Sequence, residues 1–315
     1  MNKKIAFAAL LLLSFVNEAS ANLVDLGVAQ NFNLFAINDI SATANDVQGA
    51  VAAGGNVTVS NFGINSLSAP GYAGNALVVN GNLNFTNGYI GQGNAYVGGT
   101  VATSGLAFAG SFLGGVAPLS FVDAANSLYQ LSSTLAGLTA NGIASFNPWG
   151  GVTFTGDGTT NTQVFNVTGS QLLGINSLSL NNVTLGQTLI FNVSGNAAGF
   201  NAAGIGATLG YNTLFNFNQA TQIALNNVGV FGSVLAPYAT AIGAMGQING
   251  NVVVNNWFAG IEVHTAGAFQ GANINGSVPA PGTLALLLPM LCMLAWTNRR
   301  HLTNATLTRR AATPA

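Results

Sequence analysis

Gly55-Asn56-Val57, Gly81-Asn82-Leu83 and Gly99-Thr100-Val101 repeat one short element: a glycine, a small polar residue, then a branched aliphatic residue. The element returns as Gly232-Ser233-Val234, Gly250-Asn251-Val252 and Gly276-Ser277-Val278. Its copies are spaced by 26 and 18 residues in the first half of the chain and by 18 and 26 in the second. Around them run short β-forming stretches, among them Val57-Thr58-Val59, Leu77-Val78-Val79, Tyr96-Val97, Val152-Thr153-Phe154, Leu178-Ser179-Leu180, Leu189-Ile190-Phe191, Val228-Gly229-Val230 and Val252-Val253-Val254. Each alternates or is wholly apolar, and each is bounded by Gly or Asn. A period of this length, built from short strands, suits one coil of a parallel β-solenoid. Gly and Asn suit its corners because both tolerate positive φ, and stacked Asn side chains can form ladders there. The fold expected is therefore mainly β, a parallel β-solenoid (β-helix). An antiparallel β-sandwich, which also has short strands between turns, is the alternative.

One segment departs from this rhythm. In Ser120–Ala140, the residues Phe121, Ala125, Leu128, Leu131, Leu135 and Leu138 recur at steps of three and four, as on one face of an amphipathic helix. Ser120 is placed to cap its start, with Asp123 three residues on, and Gly142 to stop it. Such a helix is about 30 Å long and could cover the flank of several coils stacked about 4.8 Å apart.

Composition narrows the function. Only 4% of the 315 residues are charged, against about 25% in an average domain, while 49% are hydrophobic and the net charge is −1. The basic residues are Lys3, Lys4, Arg299, Arg300, Arg309 and Arg310, so no Lys or Arg lies between Glu18 and Asn298. Nucleic-acid binding, which needs such charges to displace counterions, is excluded. A single Cys, Cys292, excludes an internal disulfide or a Cys-based metal cluster. Asn, Ser, Thr, Gln and Gly keep the body soluble, which suits an exported surface protein.

The two ends carry addresses. Residues 1–21 have the form of a secretory signal peptide: Lys3 and Lys4, an apolar run from Ile5 to Val16, and a small-x-small site at Ala19-Ser20-Ala21 that would leave Asn22 first. In 278–301, the stiff segment Val278-Pro279-Ala280-Pro281-Gly282 leads into an apolar helix over 283–297, closed by Arg299 and Arg300. Its basic end should stay cytoplasmic, leaving 22–277 outside, and 302–315 forms a polar basic tail. This tripartite pattern resembles the PEP-CTERM sorting signal of Gram-negative bacteria, with Val278, Pro279 and Pro281 matching and Ala280 where the family has glutamate. The resemblance implies Sec export, transient anchoring in the inner membrane through the apolar helix, and cutting by an exosortase-type enzyme. A plain C-terminal membrane anchor is the other reading.

The body carries a second resemblance. Phe32-Asn33-Leu34-Phe35 and Asn45-Asp46-Val47-Gln48-Gly49-Ala50-Val51-Ala52-Ala53-Gly54-Gly55-Asn56 are similar to the opening of the choice-of-anchor A domain. So are Gly232-Ser233-Val234-Leu235-Ala236-Pro237 and Ile248-Asn249-Gly250-Asn251-Val252 near its end. Gln48 and Ala50 replace the charged pair usual in that family. The resemblance implies a bacterial adhesive domain over about 28–272, for which a PEP-CTERM tail is one of several anchors.

No catalytic set emerges. His264 is the one base in the body suited to neutral pH, and Glu262 shares its strand face by period-two spacing. Oxygen ligands for calcium could come from Asp25, Asp39, Asp46 or Asp157, although no EF-hand or nonapeptide spacing is present. No other cofactor is expected. The expectation is an exported, non-enzymatic adhesin that binds exopolysaccharide or another surface polymer through an Asn/Thr/Ser-rich face. Its rivals are a passive structural protein of the envelope or matrix, a polysaccharide-degrading enzyme, and an ice-binding protein. The last wants aligned threonines, and Thr153-Phe154-Thr155 is the one Thr-x-Thr read in a strand.

Overall fold

The computed structural model describes residues 22–67, 71–201 and 204–274. The expected signal peptide with Ala19 and Ala21, the sorting segment Val278, Pro279, Ala280, Pro281, Arg299 and Arg300, and the apolar helix at 283–297 lie outside the described residues.

The body is a parallel β-solenoid, with three strand-bearing faces per coil. In the N-terminal half, face A stacks Leu34–Ala36, Val51–Ala53, Asn75–Val79, Asn94–Val97 and Phe112–Leu113 in parallel register. Face B stacks Ile40–Thr43 on the leading parts of Val57–Ile64, Leu83–Ile90 and Val101–Phe108. Face C stacks Asp46–Val47 on the trailing parts of the same long strands. The bend from B to C falls on Ala44, Asn61, Asn87 and Gly105, all at positive φ and in one column. The parallel ladders replace the sandwich alternative. Among the described strands, antiparallel pairing is confined to Asn22–Val24 with Ala272–Ile274 and Ile143–Phe146 with Gly151–Thr155.

The coils do not stack in sequence order. The chain begins in the middle, at Leu34–Ala36, and coils outward to Phe112–Leu113. The helix Phe121–Ala136 then crosses the stack, and the remaining coils return from the far end toward the middle. The last coil, Val252–His264, pairs in parallel with Ser233–Asn249 on one side and with the first coil on the other, placing Val252 beside both Val234 and Leu34. A seam thus joins the first coil to the last.

The helix lies on the flank, as expected, but it ends at Ala136 with Gly137 as its C-cap. Gly142 does not stop it. That glycine leads into the strand at 143, where a Cβ would meet the Phe165 ring at 2.1 Å. Asp123 N–H donates to Ser120 Oγ at the N-cap, 3.3 Å. Of the expected apolar face, Phe121, Ala125, Leu128 and Leu135 are buried, joined by Ala124 and Ser132.

What covers the outer side explains two kinds of strand. Face A is buried on both sides, inward by the coil interior and outward by an apolar cluster made of the helix together with Val24, Leu26, Phe32, Leu119 and Phe269, so Leu77-Val78-Val79, Leu189-Ile190-Phe191 and Val252-Val253-Val254 are continuously apolar. Face B has a solvated outer side, so Val57-Thr58-Val59 alternates. Inside the coils, Phe165, Phe191 and Phe215 stack with centroids 5.2 and 4.8 Å apart.

Candidate functional site

The glycine–polar–aliphatic element marks two different corners. In the N-terminal half it turns face A into face B. There Asn56 N–H donates to Asp39 Oδ1 (2.7 Å), Asn82 N–H to Asn56 Oδ1 (3.0 Å), and Thr100 N–H to Asn82 Oδ1 (2.8 Å). The ladder crosses the seam, because Asp39 N–H donates to Asn256 Oδ1 and Asn256 Nδ2 to Thr240 Oγ1, both 3.2 Å. Asp39, Asn56, Asn82 and Asn256 thus each satisfy a backbone donor of the neighbouring coil. The glycine is needed here for closeness, not for its φ: a Cβ on Gly55 would lie 2.2 Å from Asp39 Oδ1, and one on Gly99 2.4 Å from Asn82 Oδ1. In the C-terminal half, Gly232 and Gly250 do take positive φ. Their element turns face C into face A, with Ser233 Oγ donating to Asn251 Oδ1 (3.2 Å). The copy at 276 lies outside the described residues.

The strands that follow the first corner alternate, so every second side chain of face B faces outward. Ser41, Thr58, Asn84 and Ala102 form one outward column, and Thr43, Ser60, Thr86 and Ser104 a second. Valine, leucine, isoleucine and phenylalanine at Val57, Leu83, Ile40 and Phe85 point inward and anchor the columns in the core. Neighbours within a column are about 4.8 Å apart, and the columns are about 6.7 Å apart. Within the described residues no hydrogen bond engages the side chains of Ser41, Thr43, Thr58, Ser60, Asn84 or Thr86, so their donors and acceptors are available to a ligand. At the seam the polar array meets Phe258, whose side chain is 46% exposed and closes one side of an open trough of about 410 Å³. The array is a hydroxyl and amide surface with an aromatic wall and no cation.

Sequence reading missed this array, although Asn56-Val57-Thr58-Val59-Ser60 and Asn82-Leu83-Asn84-Phe85-Thr86 carry its alternation. A Thr-x-Thr within one strand does not reveal columns that run across coils. Thr153 and Thr155 stand beside Ser179 and Asn181 near the far end of the stack.

The calcium candidates separate. Asp157 closes its own turn: its oxygens accept from Gln163 Nε2 (2.8 Å), the Thr160 and Thr159 N–H groups, the Thr160 hydroxyl and Asn141 Nδ2. The Gln163 amide and then those backbone donors hold its carboxyl well below the usual carboxylate range. Asp39 belongs to the corner ladder, and Asp25 accepts the Gly27 N–H at 2.8 Å. Asp46 instead stands near Glu262 and His264, which lie side by side on one face of their strand with Oε2 and Nε2 3.0 Å apart. Among the described residues no helix is long and apolar enough to cross a membrane.

A family profile described as "Putative Ice-binding-like adhesive domain" matches residues 25–265. Three solved ice-binding proteins show low similarity. One comes from the Antarctic ascomycete Antarctomyces psychrotrophicus: identity is 13%, TM-score 0.41, with 80% of this chain and all of that one covered. Another, from an Antarctic biological consortium, gives 11% and 0.30, covering 77% and 90%. A third, from an Antarctic bacterium of the Flavobacteriaceae, gives 10% and 0.27, covering 79% and 99%. At these scores the fold rests on the strand register itself. Among curated proteins none matches the chain.

Proposed function

The chain belongs to the ice-binding-like adhesive domain family, and from that premise we propose that it is an exported, non-enzymatic adhesin that holds a neutral hydroxylated polymer on face B. The observation that carries this reading is the array of unengaged Ser, Thr and Asn side chains beside Phe258. Sugar hydroxyls both donate and accept, as the array does, and an exposed aromatic ring offers an apolar face to a sugar ring. With no Lys or Arg between Glu18 and Asn298, binding rests on hydrogen bonds and apolar contact. Exopolysaccharide of the cell surface or matrix is the polymer class this fits.

The finer assignments belong to the same proposal: a choice-of-anchor A domain, exported through Sec, held transiently in the inner membrane by its PEP-CTERM tail and processed by an exosortase. The mature protein should then begin at Asn22 and end close to Pro279. Intact mass spectrometry checks this, and a product that keeps Arg309 and Arg310 leaves a plain anchor instead.

Binding is tested by titrating the purified chain with neutral and acidic glycans at about 0.05 and 0.5 M NaCl, which span the screening range. Affinity for a neutral glycan should be unchanged by salt and should fall about tenfold in a Thr58→Ala/Thr86→Ala double variant, at about 0.5–1.5 kcal/mol per hydrogen bond. Tight binding of a polyanion that weakens steeply with salt would sink the reading. Ice binding is a second reading, favoured by the two-dimensional regularity of the columns. Thermal hysteresis abolished by the same double variant, with no glycan bound, would select it.

A further inference from the structure

The seam between the first and last coils carries the one histidine of the described body, placed beside two carboxylates. Val263 lies opposite Val47, and both valines point into the core. The residues flanking them point outward, so Asp46 stands beside Glu262. One ligand atom from each of Asp46, Glu262 and His264 lies within 4.8 Å of the other two, and all three residues are half-buried.

Turn-making does not account for this cluster. Asp25, Asp39 and Asp157 each accept a backbone N–H, whereas among the described residues Asp46 and Glu262 accept none. Asp46 receives the Ser66 hydroxyl on Oδ2 (2.9 Å) and Glu262 faces the imidazole. Like charges opposite one another on neighbouring strands destabilise a sheet, and the body has no Lys or Arg to offset them. Apart from His264, which stands 3.0 Å from Glu262, the described body offers no cationic side chain to this pair, and a bound cation would offset both carboxylates.

We propose that Asp46, Glu262 and His264 bind a divalent transition-metal cation of the zinc class. One imidazole nitrogen and two carboxylate oxygens are a donor set for such ions, with a fourth position left to water. Calcium takes six to eight oxygens and gains little from an imidazole. Asp46 comes from the first coil, while Glu262 and His264 come from the last. The ion staples the seam, where the two ends of the body's sequence meet, and closes a long loop of chain. The site lies on face C and does not depend on what face B binds.

The test uses the purified full chain, stripped with chelator and titrated with zinc chloride alone by calorimetry and thermal unfolding. One zinc should bind per chain, and Tm should rise by roughly 5–10 °C at zinc a hundredfold above Kd. His264→Ala, and the near-isosteric Asp46→Asn and Glu262→Gln, should each lose at least about tenfold in zinc affinity and most of the Tm rise, while His301→Ala should keep both. The proposal is overturned if zinc leaves Tm unchanged, if the Asp46 and His264 variants respond like the parent, if the response disappears with His301 instead, or if calcium stabilises as well as zinc.

Discussion

Thr213 is fully buried on face A of the returning coils, and among the described residues its hydroxyl has no hydrogen-bond partner. An unpaired buried hydroxyl costs about 1–3 kcal/mol, so Thr213→Val should stabilise the protein by about 1 kcal/mol, read from denaturant unfolding. Ala44 is strained for a different reason. It occupies the B-to-C corner at φ 57°, in the column where the neighbouring coils use Asn61, Asn87 and Gly105. A Cβ in the left-handed region costs about 1–2 kcal/mol, and Asn recovers part of that by local hydrogen bonding. Ala44→Asn should therefore raise stability by about 0.5–1 kcal/mol, and a lower unfolding midpoint would refute the strain argument. Asp157 adds a pH dependence. Its carboxyl is held below the ordinary value by donors present only in the folded turn, so its contribution is in place above the unfolded aspartate pKa and is lost as pH falls through the lower folded value. The Thr159 and Thr160 amide resonances should keep their folded shifts down to pH values where free aspartate has already protonated. Asp157→Asn should shift both at neutral pH.

At the scale of elements, the helix is held by more than its apolar stripe. Asn192 and Asn216 sit in register on neighbouring face A strands, with Asn166 next in the row. Asn216 accepts the Ser132 hydroxyl (2.6 Å) and donates to the Ser132 carbonyl (2.9 Å) and to Asn192 Oδ1 (2.9 Å). Asn192 donates to the Leu135 carbonyl near the helix C-terminus, 2.7 Å. This buried polar row fixes where along the stack the helix docks, which apolar contact alone leaves loose. Asn216→Ala leaves several buried groups unpaired and should cost about 2–3 kcal/mol. Amide exchange should quicken in the second half of the helix before the coils themselves open.

For the whole molecule, the decisive feature is the out-and-back path. Because the last coil adds to the first, the body closes only after nearly all of it has been made, and the seam depends on contacts between its two sequence ends. Trp257, fully buried, pairs with Ala241 on one side and Ile40 on the other and fills the interior at this joint. Trp257→Ala should cost about 3–5 kcal/mol. Exchange protection should be lost first in Ile40–Thr43 and Val252–His264 rather than at the outer coils. Uniform loss across the stack would argue against a discrete seam.

Much of the fold could be read in the chain itself, because its signals are local. The 26- and 18-residue spacings are coil lengths, since Val57 stacks on Leu83 and Leu83 on Val101. The step of three and four in 121–135 marked the helix, and wholly apolar strands differ from alternating ones because one class is covered on its outer side and the other is solvated. The local signal failed at Gly142, which reads as a helix stop but is a packing glycine under Phe165. The order of coils could not be read, because any coil offers the same ladder of backbone donors and acceptors to any other, and only the helix crossing and the seam contacts select the neighbour. The same holds for the sites. Alternation announces an outward Thr or Ser, but whether six of them share one face is decided by register across separate coils. Asp46 reaches Glu262 and His264 because tertiary structure, and nothing in local sequence, lays the first coil against the last.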